Sequence, residues 1–238
     1  DGYSGNCDLK NKKNFRTRCS ALIKFDNQNI LIDTSPDLRA QLLQNKIKSI
    51  SKVFYTHLHA DQTHGINDLR PFFLINKKKI PVYADTFTKK YLLSTFGYCF
   101  KSSYSYPSTL GINNLKKTHT FINKNKKIFI ESITVQHGKI KSICYLVNKK
   151  LAYASDISFF FKKDYKKLTN LDYLIIDCLW YRNHSAHFNV DQVLELTKVL
   201  SPKKTILTNM HSDLDYDQLK KKLPKSIIPG FDGMTISL

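Results

Sequence analysis

The sequence predicts a mixed α/β fold in which sheets pack together with helices outside them. Three observations carry this expectation. Short apolar runs of strand length recur along the chain, among them Ala21-Leu22-Ile23-Lys24-Phe25, Ile143-Cys144-Tyr145-Leu146-Val147 and Leu174-Ile175-Ile176. Stretches with helical periodicity, such as Val190 to Leu200, separate some of them. Polar residues of metal-binding type close several of the apolar runs. At 238 residues, with 42% hydrophobic and 12% aromatic content, the chain is expected to be one domain over residues 1–238, globular rather than disordered.

The elements follow in order. Residues 21–25 and 29–33 read as a strand pair joined by the turn Asp26-Asn27-Gln28. Ser35-Pro36 opens a helix through Leu38, Leu42 and Leu43, with serine as N-cap and proline in the first turn. Ser51 to Tyr55 is a strand, and a helix through Ile66, Leu69, Phe72 and Phe73 comes after the polar segment that follows it. Ile80 to Ala84 is a strand and Phe87 to Phe96 a helix. Lys101 to Lys127, with its Ser-Tyr-Ser-Tyr-Pro and its Asn/Lys-rich part, reads as a loop or insertion over the mouth of a site. Strands resume at 128–130, 133–135, 143–147, 151–153, 174–176 and 205–208, with the helix 190–200 before Ser201-Pro202.

The polar segment after the strand at Tyr55 is Thr56-His57-Leu58-His59-Ala60-Asp61-Gln62-Thr63-His64-Gly65. It places three imidazoles and a carboxylate within eight positions. Side chains two apart on an extended backbone share a face, so His57, His59 and Asp61 are expected to point one way. Neutral imidazole and carboxylate are ordinary ligands for zinc and manganese. The spacing is not that of H-E-x-x-H on a helix, and no C-x-x-C pair exists, which argues against zinc ribbons and fingers. Five scattered cysteines, an odd number, point to reduced thiols and a cytoplasmic chain, with Cys144 and Cys178 in the core. No apolar run approaches the length of a membrane span and no secretory leader is visible. The net charge of +19 is nearly all lysine, in clusters such as Lys77-Lys78-Lys79, and reads as a solvated surface ahead of a nucleic-acid patch.

Further ligand candidates close apolar runs elsewhere: His137 before Gly138, Asp156 after Leu151-Ala152-Tyr153-Ala154-Ser155, and His211 after Thr205 to Met210. The order H-x-H-x-D, a later His, an Asp in a Ser-Asp pair and a C-terminal His resembles the metallo-β-lactamase-fold hydrolases. Within them it is most similar to the PhnP-type branch, whose namesake opens phosphoribosyl cyclic phosphate. The segments that carry the resemblance span almost the whole chain: Arg16 to Ser20, Ile32 to Arg39, the histidine segment with Gly65 to Pro71, Gln136-His137-Gly138, Ala154-Ser155-Asp156, His187 ahead of a helix, and Leu214-Asp215-Tyr216.

The resemblance implies a four-layer αββα sandwich with two divalent metal ions, zinc or manganese, at one end of the sheets. It implies that His57, His59 and His137 hold the first metal, that Asp156 bridges, that Asp61 belongs to the second metal and to catalysis, and that Asp33 orients from behind. Two positions depart from the family: Gln62 and Asn209 stand where second-metal histidines are usual. His64 and His211, each two residues further on, are the expected replacements, the alternative being a mononuclear or weak second site. The chain also begins after the family's usual first strand and Gly-rich turn, so an edge strand is expected to be missing. Two cations would lower the pKa of a shared water to roughly 7 and so provide a hydroxide nucleophile. His187 aligns with the branch's general acid, while His184 reads as a surface neighbour. Arg182 or Arg70 could hold a phosphate, although Arg70 in Asp68-Leu69-Arg70 reads equally as one side of an ion pair. The expected activity is hydrolysis of a small cyclic or nucleotide-like phosphodiester. The alternatives are a ribonuclease of the tRNA-maturation type, a thiolester or lactam hydrolase, and a metal-poor homologue without turnover. A homodimer is expected by family analogy alone.

Overall fold

In a computed structural model of the chain, residues 3–104, 106–123 and 126–238 are described. Ser105, Lys124 and Asn125, which fall in the expected loop 101–127, lie outside the described residues. The chain divides into two compact units, one of residues 18–116 and one of residues 1–17 with 117–238.

The 18–116 unit is built on a five-stranded sheet. Strands β1 (Ala21–Phe25) and β2 (Gln28–Ile32) form the expected hairpin, with Phe25 opposite Gln28. Asp26 turns the chain at φ +49°, a conformation that hairpin turns require and that aspartate tolerates. Strands β3 (Lys52–Phe54), β4 (Ile80–Ala84) and β5 (Leu110–Asn114) add in parallel, in the order β1-β2-β3-β4-β5. Helices α1 (Leu38–Gln44), α2 (Ala60–Thr63), α3 (Arg70–Asn76), α4 (Thr86–Thr95) and α5 (Gly97–Phe100) supply the connections. Leu31, Val53, Tyr55, Val82, Leu92 and Leu110 are buried in one cluster. The first helix starts later than expected. Ser35 caps no helix; its Oγ accepts from the Asp37 N–H at 3.2 Å in a turn, and α1 begins at Leu38.

The other unit carries seven strands: β6 (Thr118–Asn123), β7 (Lys126–His137), β8 (Ile140–Val147), β9 (Leu151–Ala154), β10 (Tyr173–Asp177), β11 (Lys204–Thr208) and β12 (Ile227–Pro229). Their order is β12-β11-β10-β9-β8-β7-β6. Helices α6 (Tyr165–Leu168), α7 (Val190–Leu200) and α8 (Tyr216–Lys222) complete it. A reciprocal capping box of Asn189 and Gln192 fixes the start of α7. Cys144 and Cys178 are buried with Val135, Leu174, Ile176 and Leu207, as expected of core thiols, and burial pushes both thiols up. The segment before residue 18 is tied into this unit: Asn14 Nδ2 donates to Asp215 Oδ2 at 2.6 Å and Arg16 Nη2 to the Leu214 carbonyl at 2.6 Å.

The expected loop 101–127 is therefore largely strand. Residues 110–114 and 118–123 each lie at the edge of a sheet, β5 beside β4 and β6 beside β7. An edge strand with one solvated face needs only alternate burial, and its lysines and asparagines hide that pattern. Residues 128–130 and 133–135 are one continuous strand, β7, rather than two. Residues 216–222 and 227–229, to which the sequence assigned no element, form α8 and β12.

Strand direction in the seven-stranded sheet decides where chemistry can gather. Strands β9, β10 and β11 run parallel, and β7 runs the same way because both β7 and β9 are antiparallel to β8. Their carboxyl ends share one edge of the sheet. His137 ends β7, Asp156 follows β9, Asp177 ends β10 and Asn209 follows β11. Open α/β sheets place ligands at such an edge.

Candidate functional site

At that edge the side chains converge. His137, Asp156 and His187 each offer a ligand atom within 4.8 Å of the others, and His137 and Asp156 are buried. His137 Nδ1 lies 2.8 Å from the Ala186 carbonyl, which can only accept. The proton therefore sits on Nδ1 and the lone pair on Nε2, the tautomer a metal-binding histidine needs. Gly138, at φ +55°, allows this approach: a Cβ there would stand 2.9 Å from the Ala186 Cβ. The rings of His137 and His187 meet edge to face at 4.8 Å.

His187 Nδ1 lies 2.6 Å from Asp177 Oδ2. That is the length of a charge-assisted bond, and it aims Nε2 away from the carboxylate. Asp177 is fully buried, and burial pushes its carboxyl well above the usual range, against the opposing bonds from the Ile157 N–H and the Asn209 amide. Sequence reasoning passed over Asp177, although a carboxylate ending the apolar run Leu174-Ile175-Ile176 repeats the signal that marked Asp156. Asn209, at φ +58°, donates from Nδ2 to Asp156 Oδ1 at 3.1 Å.

His211, the expected replacement ligand, is turned elsewhere. Its Nδ1 lies 3.2 Å from Asp213 Oδ2 and its ring meets Trp180 edge to face at 4.8 Å. Asn209 touches Asp156. His184 is exposed; desolvation lowers its pKa, and the neighbouring His187 and Arg182 charges act in the same direction.

The histidine segment of the 18–116 unit leaves β3 and enters α2. Asp33, buried and held at φ +63°, accepts from the Thr56 N–H at 2.7 Å and the Thr56 hydroxyl at 2.8 Å. The same hydroxyl lies 3.0 Å from His57 Nδ1, and His57 Nε2 lies 3.0 Å from His59 Nδ1. A chain of contacts thus runs from a buried carboxylate to a pair of imidazole nitrogens close enough to share one cation. Asp61 does not continue an extended run as expected. The chain bends at Thr56 and Leu58 after β3, is extended at His59 and turns helical at Ala60, so Asp61 lies in the first turn of α2, half-buried, accepting from Gln62 Nε2 at 3.3 Å. Gly65 locks the segment down: its N–H donates to the Thr34 carbonyl at 2.8 Å, and a Cβ would fall 1.9 Å from the Ser35 carbonyl oxygen. His64 is exposed and bonds the Tyr91 hydroxyl through Nε2 at 2.9 Å. Asp61, His64 and His211 belong to no metal-competent cluster among the described residues.

A model of the beta-lactamase superfamily domain matches residues 28–210. The chain belongs to the beta-lactamase superfamily. The expected metallo-β-lactamase fold, mixed α/β with two sheets and helices, is thereby borne out. The resemblance to the PhnP-type branch is also borne out. A crystal structure of a new diphosphatase from the PhnP family matches with a TM-score of 0.87 and 26% identity, covering 98% of this chain and 91% of that one. Among curated proteins, the octanoyltransferase of Porphyromonas gingivalis is 28% identical over 234 residues, which is 96% of this chain and 46% of that protein. The ribonuclease Z of Prochlorococcus marinus is 29% identical over 128 residues, 50% of this chain and 39% of that protein. The chain thus spans less than half the length of each of these two relatives. Among the described residues no helix is long and apolar enough to cross a membrane.

Proposed function

We propose that this hydrolase is a phosphodiesterase acting on a small cyclic or nucleotide-like phosphodiester, with His187 as its general acid. The donor set fits divalent cations of the zinc or manganese type. His57, His59 and His137 would supply imidazoles, Asp156 and Asp61 carboxylates, with Asp33 orienting His57 through Thr56. His64 and His211 are left out of this set because each faces other partners. When bound, such ions lower the pKa of water towards neutrality and neutralise phosphate charge.

The observation that carries the reading is the Asp177–His187 pair beside Asp156. A phosphodiester departs as an alkoxide, which needs a proton. Asp177 holds the His187 ring by Nδ1 and stabilises its protonated form, so that Nε2–H can be delivered to the leaving oxygen. Asn209 does comparable work on Asp156, fixing one carboxylate oxygen through its amide. The PhnP-family relative, a diphosphatase, supports hydrolysis at phosphorus. The ribonuclease Z match supports the alternative, an RNA substrate. The absence of disulfides among the five cysteines supports a cytoplasmic setting. The dimer rests on family analogy only.

Assays of a ribonucleoside 2′,3′-cyclic phosphate and a structured RNA, with metal content measured in parallel, test the proposal. Faster turnover of the cyclic diester supports it, whereas turnover of the RNA alone replaces it with the ribonuclease. His187→Ala should lose turnover and keep its metal. If the metal leaves with the ring, His187 is a ligand instead of the acid.

A further inference from the structure

Gln62 and Asn209, at the two positions where second-metal histidines are usual in the family, each place an amide against a carboxylate. In the unit of residues 1–17 and 117–238, Asn209 Nδ2 donates to Asp156 Oδ1 at 3.1 Å and stands 3.5 Å from Asp177 Oδ1. His187 Nδ1 stands 4.0 Å from the same Asp156 oxygen. In the unit of residues 18–116, Gln62 Nε2 donates to Asp61 Oδ2 at 3.3 Å. Gln62 is fully buried and its backbone is pinned twice: its N–H donates to the His59 carbonyl at 3.1 Å, and its carbonyl accepts from the Thr34 N–H at 2.8 Å.

A hydrogen-bond donor and a metal ligand are opposites at such a position. An imidazole would offer a cation its lone pair. An amide nitrogen has none to offer, because its pair is delocalised into the carbonyl, and its two hydrogens seek acceptors. Turning the Asn209 amide over would present its oxygen instead, but would set that oxygen against Asp156 and lose the bond. The backbone favours asparagine as well: φ +58° at position 209 is the left-handed region, which asparagine tolerates. A partially positive NH2 group thus stands against two buried carboxylates, Asp156 and Asp177, whose charge a cation would otherwise have to balance.

We propose that this chain holds one divalent ion rather than two, with the Asn209 amide at Asp156 and the Gln62 amide at Asp61 taking the place of the second cation. The inference rests on the divalent-metal reading of the donor set above, in which His57, His59 and His137 supply the imidazoles for that single ion. It makes Asn209 a positioning residue, which holds Asp156 in place by a hydrogen bond instead of a metal bond.

Zinc retained by the full chain after gel filtration, counted by elemental analysis and native mass spectrometry, decides the matter without a substrate. The parent chain should retain one zinc, and a second equivalent should bind at least about 100-fold more weakly in competition with a chelator. Two tightly held ions in the parent overturn the inference and leave the phosphodiesterase reading intact, whereas no tightly held ion overturns both. Asn209→Asp exchanges the donor for a further carboxylate oxygen at a backbone angle that aspartate also tolerates. It should tighten the second equivalent about tenfold or more. A second equivalent bound as in the parent shows that the amide does not keep the ion out, and overturns its role. Asn209→His supplies a lone pair without adding charge; it should shift the second equivalent the same way and serves if three carboxylates together prevent folding. Manganese gives an independent readout. Electron paramagnetic resonance of the parent at two equivalents should show one bound, isolated ion with the excess as the free aquo ion, and a spin-coupled pair overturns the inference.

Discussion

Asp177→Asn keeps the shape of the side chain that faces His187 and removes its charge. The asparagine oxygen can still accept from Nδ1, so the ring need not swing away, but the imidazolium loses its counter-charge. The bond that loses its charge is 2.6 Å long, and its Asp177 end is fully buried. A hydrogen bond to a charged group contributes about 1.5–3 kcal/mol. At about 1.4 kcal/mol per decade, kcat for a diester with an alkoxide leaving group should fall roughly 10- to 150-fold. Bis-p-nitrophenyl phosphate releases a stable phenolate that needs no proton, so its turnover should fall by less than about threefold. Stability should move the other way. Burial raises the Asp177 carboxyl well above the usual carboxylate range, so the folded state binds the proton more tightly than the unfolded state. Stability therefore declines as pH rises from about 4 towards the folded pKa, and the loss persists above it. The asparagine variant should lack this decline and melt no lower than the parent at pH 8. Equal losses on both substrates, or a variant that melts lower at pH 8 than at pH 5 by the parent's margin, would refute the reasoning.

Other perturbations follow from the same contacts. Asp33→Ala strands the buried Thr56 N–H and hydroxyl and puts alanine at φ +63°; we expect a loss of about 3 kcal/mol or more, roughly 6–12 °C in Tm, with metal affinity reduced about 10- to 100-fold by titration against a chelator. Gly65→Ala drives a methyl to 1.9 Å from the Ser35 carbonyl, so the histidine segment must shift; calorimetry should show about 3 kcal/mol lost, and an unchanged Tm contradicts the packing. The double change Gln62→His with Asn209→His restores imidazoles at the two departures; Asn209 sits at φ +58°, which histidine tolerates better than most residues. Elemental analysis should then show one more tightly bound metal per chain than in the parent, and equal stoichiometry argues that the parent already fills both positions.

The elements legible in the sequence were those with clear physical periodicity. The apolar strands before His57, Asp156 and Asn209 could be read because burial on both faces leaves a continuous apolar run, and β7 before His137 because its apolar residues are the buried ones. The hairpin at Asp26 followed from its turn residues and the helix from Val190 from its apolar periodicity. The edge strands β5 and β6 could not be read, because a solvated face full of lysine and asparagine resembles a loop. At the site, the spacing in His57-Leu58-His59 announced the imidazole pair. It did not reveal the switch to helix at Ala60, which depends on Gly65 docking against Thr34 and Ser35. Asp177 shows the reverse limit: it was present in plain sight, but its role depends on His187 coming back to it from ten residues away.

The proposed function has this chain cleave phosphodiesters with bound divalent metal. The direct measurement is hydrolysis of a ribonucleoside 2′,3′-cyclic phosphate by chelator-stripped chain, before and after stoichiometric zinc or manganese is returned. We predict no turnover in the stripped chain and recovery that saturates at two metals or fewer per chain. Full turnover without metal, or none at any metal loading, would contradict the account.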